Sequence, residues 1–201
     1  MSSHPDDISE GAWRTVRRDL LLDRRPWLIL WEEDVVLPSG YRINGYLLAE
    51  TRPYAMVFAV TEDGRVPLVR QYKHGLRRAA YDLPAGYLDE GEDPLTCAQR
   101  ELAEETGLHG GQWRHLGSPV IDSNRGATPA HLFLATGVTG DGTQHLDPTE
   151  RIDVLLLPVE EVAAMARRGE INSLASVANI FMALDALSQL EGDGPLPATK
   201  D

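Results

Sequence analysis

The amino-acid sequence predicts an α/β layered domain built on a mixed sheet. Three observations lead there. Strand-length apolar runs are joined by short turn signals, and hairpins of that kind rule out a purely parallel sheet. A central segment carries the start and stop signals of an amphipathic helix. Two further helical patterns close the chain, so strands and helices alternate along it. Of the 201 residues, 42% are hydrophobic, enough for a sizeable core.

Taken in order, residues 1–12 are polar and read as a flexible start. Residues 27–37 are apolar-rich and end at the turn Pro38-Ser39-Gly40; residues 41–50 follow as a second strand, giving a hairpin. Trp27 and Trp31 are four apart in this strand candidate and would share a face, for core or dimer packing. Residues 54–60, the turn Glu62-Asp63-Gly64 and residues 66–72 read as a second hairpin with buried strands. Asp93 caps a helix whose first position suits Pro94, and which runs to Thr106 with Gly107 as its stop. Further strands are expected at 113–120, 130–135 and 152–157. A helix opens at Pro158 and runs through Arg168, and a last one covers 174–190. The tail EGDGPLPATKD, residues 191–201, reads as disordered. There is no internal repeat. The expected organisation is an N-terminal extension at 1–50, a main domain at 51–190 and a tail at 191–201.

The charge balance narrows the function classes. Nineteen Lys and Arg face 31 Asp and Glu, a formal net charge of -12, so a nucleic-acid footprint is absent. Cys97 is the only cysteine, which excludes an intrachain disulfide and suits a reducing compartment. No signal-peptide pattern and no apolar run of about 20 residues is present, so the expectation is a soluble cytoplasmic protein without membrane partners.

The informative segment is GYLDEGEDPLTCAQRELAEETGL, residues 86–108. Leu95, Ala98 and Leu102 form an apolar stripe on its helix, and Glu101 and Glu105, one turn apart, lie along one edge of it. Glu104 adds a third carboxylate, and Glu92 a fourth just before the helix. Like charges at this spacing destabilise a helix by a few tenths of a kcal/mol per pair, and Arg100 offsets only part of that. A local conflict of this kind is expected at a functional site. Oxygen-rich clusters suit hard cations such as Mg2+ or Mn2+. Cys97 falls opposite the stripe and reads as an inert thiol.

This segment resembles the Nudix box at every defining position: Gly86, Glu92, Arg100, Glu101, Leu102, Glu104, Glu105, Gly107 and Leu108. The resemblance implies an α/β/α sandwich with a mixed sheet, in which a loop–helix–loop binds a divalent cation, Mg2+ with Mn2+ as a substitute. Glu101 and Glu105 would be the main ligands, with Glu104 as a further ligand or the base. The main-chain carbonyl of Ala85 would be another ligand. Glu92 and Arg100 would brace the loop, and Gly86 and Gly107 would let the backbone fold closely around the helix. The implied chemistry is attack of a metal-activated water on one phosphorus, with no covalent intermediate.

The flanks narrow the resemblance to the ADP-ribose and nucleoside-diphosphate-sugar pyrophosphatases. VRQYKHGLRRAAYDLPAG, residues 69–86, is similar to the segment before the box there, with Asp82 in place of the usual Glu. LPSGYRINGYLL, residues 37–48, resembles strands that in that branch help build a homodimer and part of the substrate site. ERIDVLLLPVEEVAAMARRGEI, residues 150–171, matches its closing strand and helix. Arg70, by its planar fork, and Lys73 and Arg77 are the candidate phosphate or ribose contacts. Two departures concern the base. Pro129 and Pro148 stand where relatives carry acidic residues, while Glu150 keeps a metal-ligand place. Glu150 is therefore the preferred catalytic loop carboxylate, with Glu104 as the alternative. The expected partner is a nucleotide-type small molecule. The competing reading is a non-catalytic Nudix-fold nucleotide sensor or regulator.

Overall fold

The computed structural model describes residues 11–191, so the expected flexible start and disordered tail fall, but for residues 11, 12 and 191, outside the described residues. The chain divides into two compact units. One comprises the described residues up to Arg52 together with Val120–Thr128. The other comprises Pro53–Pro119 and the described residues from Pro129 onward.

The first unit is an antiparallel meander of β1 (Arg14–Arg24), β2 (Leu28–Val36) and β3 (Arg42–Glu50). The β2–β3 hairpin turns where Pro38-Ser39-Gly40 directs, with Gly40 at φ 83 and its N–H donating to the Leu37 carbonyl at 2.9 Å. β1 is unforeseen in the sequence. Its residues RTVRRDLLLDR show no clean alternation, because most of the strand is solvent-exposed on both faces. The ladder to β2 and charge contacts hold it instead: Arg17 donates to Glu32 at 2.9 Å, and the Arg18 guanidinium lies 4.2 Å from the Trp31 ring centre. Trp27 corrects the sequence reading. It sits in the turn between β1 and β2, 61% exposed, so it and Trp31 do not share a strand face. The segment 120–128 joins this unit through its carbonyls: Ala49 N–H donates to Arg125 O, and the Tyr46 hydroxyl donates to Asn124 O, both at 2.6 Å.

In the second unit, β4 (Tyr54–Thr61) pairs parallel with β10 (Ala130–Gly140) and antiparallel with β7 (Ala85–Tyr87). β8 (Leu108–His109) and β9 (Gln112–Gly117) pair antiparallel with β10, so the sheet is mixed. A second sheet runs β11 (Ile152–Pro158), β5 (Arg65–Lys73), β6 (Arg78–Asp82). The second expected hairpin is therefore wrong. The turn at Glu62-Asp63-Gly64 forms, with Gly64 at φ 80, but it carries the chain from one sheet to the other. Both edges of β4 are taken by β10 and β7, and both edges of β5 by β11 and β6, which leaves neither free to pair with the other.

Alternate residues of the central strands serve two different cores. Met56 and Phe58 of β4, with Leu132 and Leu134 of β10, face α2 (Val159–Arg167) and α3 (Leu174–Glu191) through Val162, Met165, Ile180 and Ala183. Ala55, Val57 and Ala59, with Phe133 and Ala135, face α1 (Pro94–Thr106) through Cys97, Ala98 and Leu102. Helices thus cover both faces, giving the α/β/α sandwich. α1 begins and ends where its signals direct. Asp93 accepts hydrogen bonds from the amides of Leu95 at 3.0 Å and Thr96 at 3.2 Å, and Gly107 closes the helix at φ 68. The apolar face of α1 is wider than the expected stripe. Cys97 is fully buried in the core beside Ala98, not opposite it. Among the described residues no helix is long and apolar enough to cross a membrane.

Candidate active site

The carboxylate edge of α1 is held against β7. Glu105 is 3% exposed, and its Oε2 accepts the Ala85 N–H at 3.0 Å. Burial pushes its pKa up to about 8; the Ala85 amide opposes that rise, Glu101 adds to it, Lys73 opposes it and Glu150 adds to it. Glu101 is also raised, first by burial, with Glu104 and Glu150 contributing and Arg100 opposing. Lys73 and Glu150 thus act electrostatically on the helix carboxylates although they come from β5 and from the loop before β11.

Arg100 organises the remainder. Its Nε and Nη2 donate to the two oxygens of Glu92 at 2.9 and 3.0 Å, and its Nη1 donates to Glu101 at 2.7 Å and Glu104 at 3.1 Å. The fork geometry draws Glu92 down to about 2. One guanidinium therefore touches three carboxylates, and Glu101 has a closer cationic partner than the sequence reading allowed. The Asp89 N–H also donates to Glu92, at 2.9 Å, so the ion pair braces the loop ahead of the helix.

Backbone approach explains the box glycines. A Cβ at Gly86 would overlap the Glu101 carboxylate, and one at Gly107, already in the left-handed region, would overlap the backbone of Gly142 and Thr143. The end of β6 and the middle of β4 are pinned from behind by α3. The buried Ser176 hydroxyl donates to Asp82 at 2.9 Å and accepts from the Leu83 amide at 3.2 Å, while Asn179 donates to the Met56 carbonyl at 3.2 Å. Cys97 donates to the Gly86 carbonyl at 3.4 Å. Burial pushes its thiol up to about 12, the state of an inert structural cysteine.

The structure brings Ala85, Gly86, Glu92, Arg100, Glu101, Glu104 and Glu105 together, with Lys73 acting on Glu105 and Glu150 on both Glu101 and Glu105. Arg70 lies on β5 in a solvent-exposed pair with Asp153 at 3.2 Å, a contact of little energetic weight. Arg77 is in the exposed turn after β5, at φ 53, with no described contact to the carboxylates. Glu150 is exposed and accepts the Asp147 N–H at 3.2 Å across the turn containing Pro148. Among the described residues no three His, Cys, Asp or Glu side chains converge on one point as a finished cation site. Arg100 draws Glu101 and Glu104 toward itself, and Glu150 caps its own turn. The donor chemistry nonetheless suits a hard divalent cation. A buried carboxylate, Glu105, and a half-buried one, Glu101, both with raised pKa values, lie one turn apart, and their oxygens are the ligands that Mg2+ prefers. Gln144 was missed in the sequence. Its side chain reaches the Glu105 carbonyl at 2.6 Å, a contact no local pattern announces.

An α/β/α sandwich with a carboxylate-bearing helix on one face points to a class of hydrolase, and the comparisons agree. Residues 50–177 match the NUDIX domain, more than half of the chain, and the chain belongs to the Nudix family. It is similar to an ADP-ribose pyrophosphatase of Mycobacterium tuberculosis, 32% identical over 155 residues, covering 76% of this chain and 74% of that protein. An ADP-ribose pyrophosphatase of Bacillus subtilis is 29% identical over 143 residues, 71% of this chain and 77% of that one. A methanol dehydrogenase activator of Bacillus methanolicus is 32% identical over 130 residues, 64% and 70% of the two chains. Among solved structures, an ADP compounds hydrolase superposes with a TM-score of 0.76 over 89% of this chain and 95% of its own, at 17% identity, a likeness of fold.

Glu105 sets an expected pH dependence. Its folded pKa, about 8, lies above the ordinary value of 4.5, so between these two pH values the folded chain keeps a proton that the unfolded chain has lost. That contribution to stability is complete below the lower value and is lost as pH rises through the upper one. In chelator, the melting temperature should fall from about pH 5 to about pH 8, and Glu105→Gln should flatten the decline. Equal slopes in the two proteins would show that another group titrates.

Proposed function

We propose that this Nudix hydrolase cleaves the pyrophosphate bond of a nucleoside diphosphate derivative, ADP-ribose or a nucleotide sugar, with Mg2+ as cofactor. The observation that carries the reading is the pair of raised carboxylates one turn apart, a buried Glu105 and a half-buried Glu101, for which a cation in the site would supply the missing compensation. The ADP-ribose pyrophosphatases among its relatives support the substrate class. Against the reading as a non-catalytic sensor stands the complete set of box carboxylates; Pro129 and Pro148 are the features that favour it.

Glu101, Glu105 and the Ala85 carbonyl would hold the cation, with Glu104 and Glu150 as further ligands. When bound, Mg2+ neutralises charge on the pyrophosphate oxygens and lowers the pKa of the attacking water. Lys73, on the side of β5 that acts on Glu105, supplies a cation to the phosphates, and Arg70 exchanges its exposed Asp153 contact for them; Arg77 serves the outer part of the substrate. Pro129 and Pro148 accept no proton. Glu150 therefore takes the proton of the water, being exposed and near enough to raise both Glu101 and Glu105. Glu104 is the alternative, but Arg100 already occupies one of its oxygens.

The first sheet carries the proposal of a homodimer. Trp13, Leu20, Leu21, Trp27 and Tyr41 are each about half exposed or more on this small unit, apolar area of which a second copy would cover a part.

Three outcomes are expected. A substrate panel read by coupled phosphate release should give Mg2+-dependent turnover on ADP-ribose or a nucleotide sugar. Glu105→Gln should lower it about 10²-fold or more, since the cation is worth several kcal/mol of barrier; turnover that survives excess chelator refutes the metal assignment. Glu150→Gln should lower kcat by about 10²-fold or more with little change in KM. Normal kcat there, with a loss in Glu104→Gln, moves the base to the helix. Light scattering at micromolar concentration should give twice the chain mass of 22.2 kDa; a fully active monomer removes the dimer.

A further inference from the structure

The C-terminal end of α1 is capped by a distant loop rather than by its own next turn alone. The last four carbonyls of a helix lack helical partners. Gly107 N–H takes that of Ala103 at 2.8 Å, His145 N–H takes that of Glu104 at 2.8 Å, and Gln144 Nε2 takes that of Glu105 at 2.6 Å. The same Gln144 nitrogen donates to the carbonyl of Ile152 at 3.2 Å, the first residue of β11. A side-chain atom facing two carbonyls is the amide nitrogen, since its oxygen could not donate to either. Residues 145–151, Glu150 among them, therefore lie between two points fixed by one side chain. Glycine makes the approach possible: a Cβ at Gly140, where the loop begins, would overlap the Gly107 carbonyl at the end of the helix.

We propose that Gln144 is a positioning residue, which clamps the loop bearing Glu150 to the helix bearing Glu101 and Glu105 and thereby sets the distance between the base and the other carboxylates. This rests on the reading of Glu150 given above. Within the loop, Asp147 O accepts the Glu150 amide at 2.9 Å, so a displaced clamp moves the Asp147–Glu150 turn as one piece. Glu104 and Glu105 each give a side chain to the site and a carbonyl to the clamp. A shift of the helix end is thus passed to the loop directly.

The test uses the full chain with Gln144→Met, which keeps the length of the side chain and loses its donors. It also uses Gln144→Lys, which keeps an N–H donor and places a cation at the helix C-terminus. Gln144→Met should lower kcat by about 10-fold or more while KM moves by less than about 2-fold, as supporting residues around a metal site do. Gln144→Lys should recover most of the loss. In a Glu150→Gln background, Gln144→Met should cost little more, because its route is already cut. Hydrogen exchange in Gln144→Met should quicken at amides 141–151 and stay unchanged at 94–103. Losses that multiply in the double variant, equal losses in the Met and Lys variants, or a lowered melting temperature with unchanged kcat would each overturn the proposal. If Glu150→Gln turns over normally, the assignment of the base fails instead. Exchange then still decides the clamp, and unchanged rates at 141–151 would remove it.

Discussion

Placing a row of carboxylates on one edge of a packed helix, with Glu105 buried, is costly, and the second unit is arranged around that cost. Glu105 is closed off from water between α1 and β7, with one backbone N–H for a partner. Arg100 then carries most of the compensation for the edge, gripping Glu92 with two nitrogens and leaving the third for Glu101 and Glu104. The arrangement is lopsided by construction. The guanidinium serves the outer carboxylates and the loop, while the innermost one keeps its raised pKa. The innermost carboxylate is thus the least compensated of the row, and its raised pKa follows from that position.

The two cores explain why so little of this strains the fold. β4 and β10 are buried on both faces, and their alternate side chains bind α1 on one side and α2 with α3 on the other. The acidic edge is thus attached to a layer fastened independently from behind, where Ser176 and Asn179 hold the strands that lead into the site. Rigidity on that side lets Gly86 bring its backbone against the Glu101 carboxylate without room for a methyl group.

How much of this could be read from the residues depended on the range of the interaction. The limits of α1 follow from Asp93, Pro94 and Gly107, all local signals, and they stand where expected. The pairing of β4 and β5 was misread because a turn signal reports a reversal of the chain and is silent on which edges are already occupied. β1 escaped because its exposure removes the alternation that marks a half-buried strand. Cys97 was put on the wrong side because the buried face of α1 is wider than a three-residue stripe. Within the site, the acidic residues were legible from spacing on one helix. The reach of Gln144 to carbonyls 39 and 8 residues away in sequence was not, since no periodicity encodes it.

The N-terminal sheet has a further consequence, for how such a chain could have been assembled and how it could be cut. Its hydrogen-bond partners are not contiguous: Tyr46 and Ala49 close onto Asn124 and Arg125, the first pair 78 positions apart in sequence. A Cβ at Gly126 would collide with the Ala49 carbonyl, so the returning segment is fitted to the sheet at the level of bare backbone. A break placed just after residue 52 would separate a module from part of its own edge. Recombination that exchanged only the first fifty residues would import a sheet without its matching strap. Only the two stretches together complete the module, although the second of them lies inside the span of the family domain.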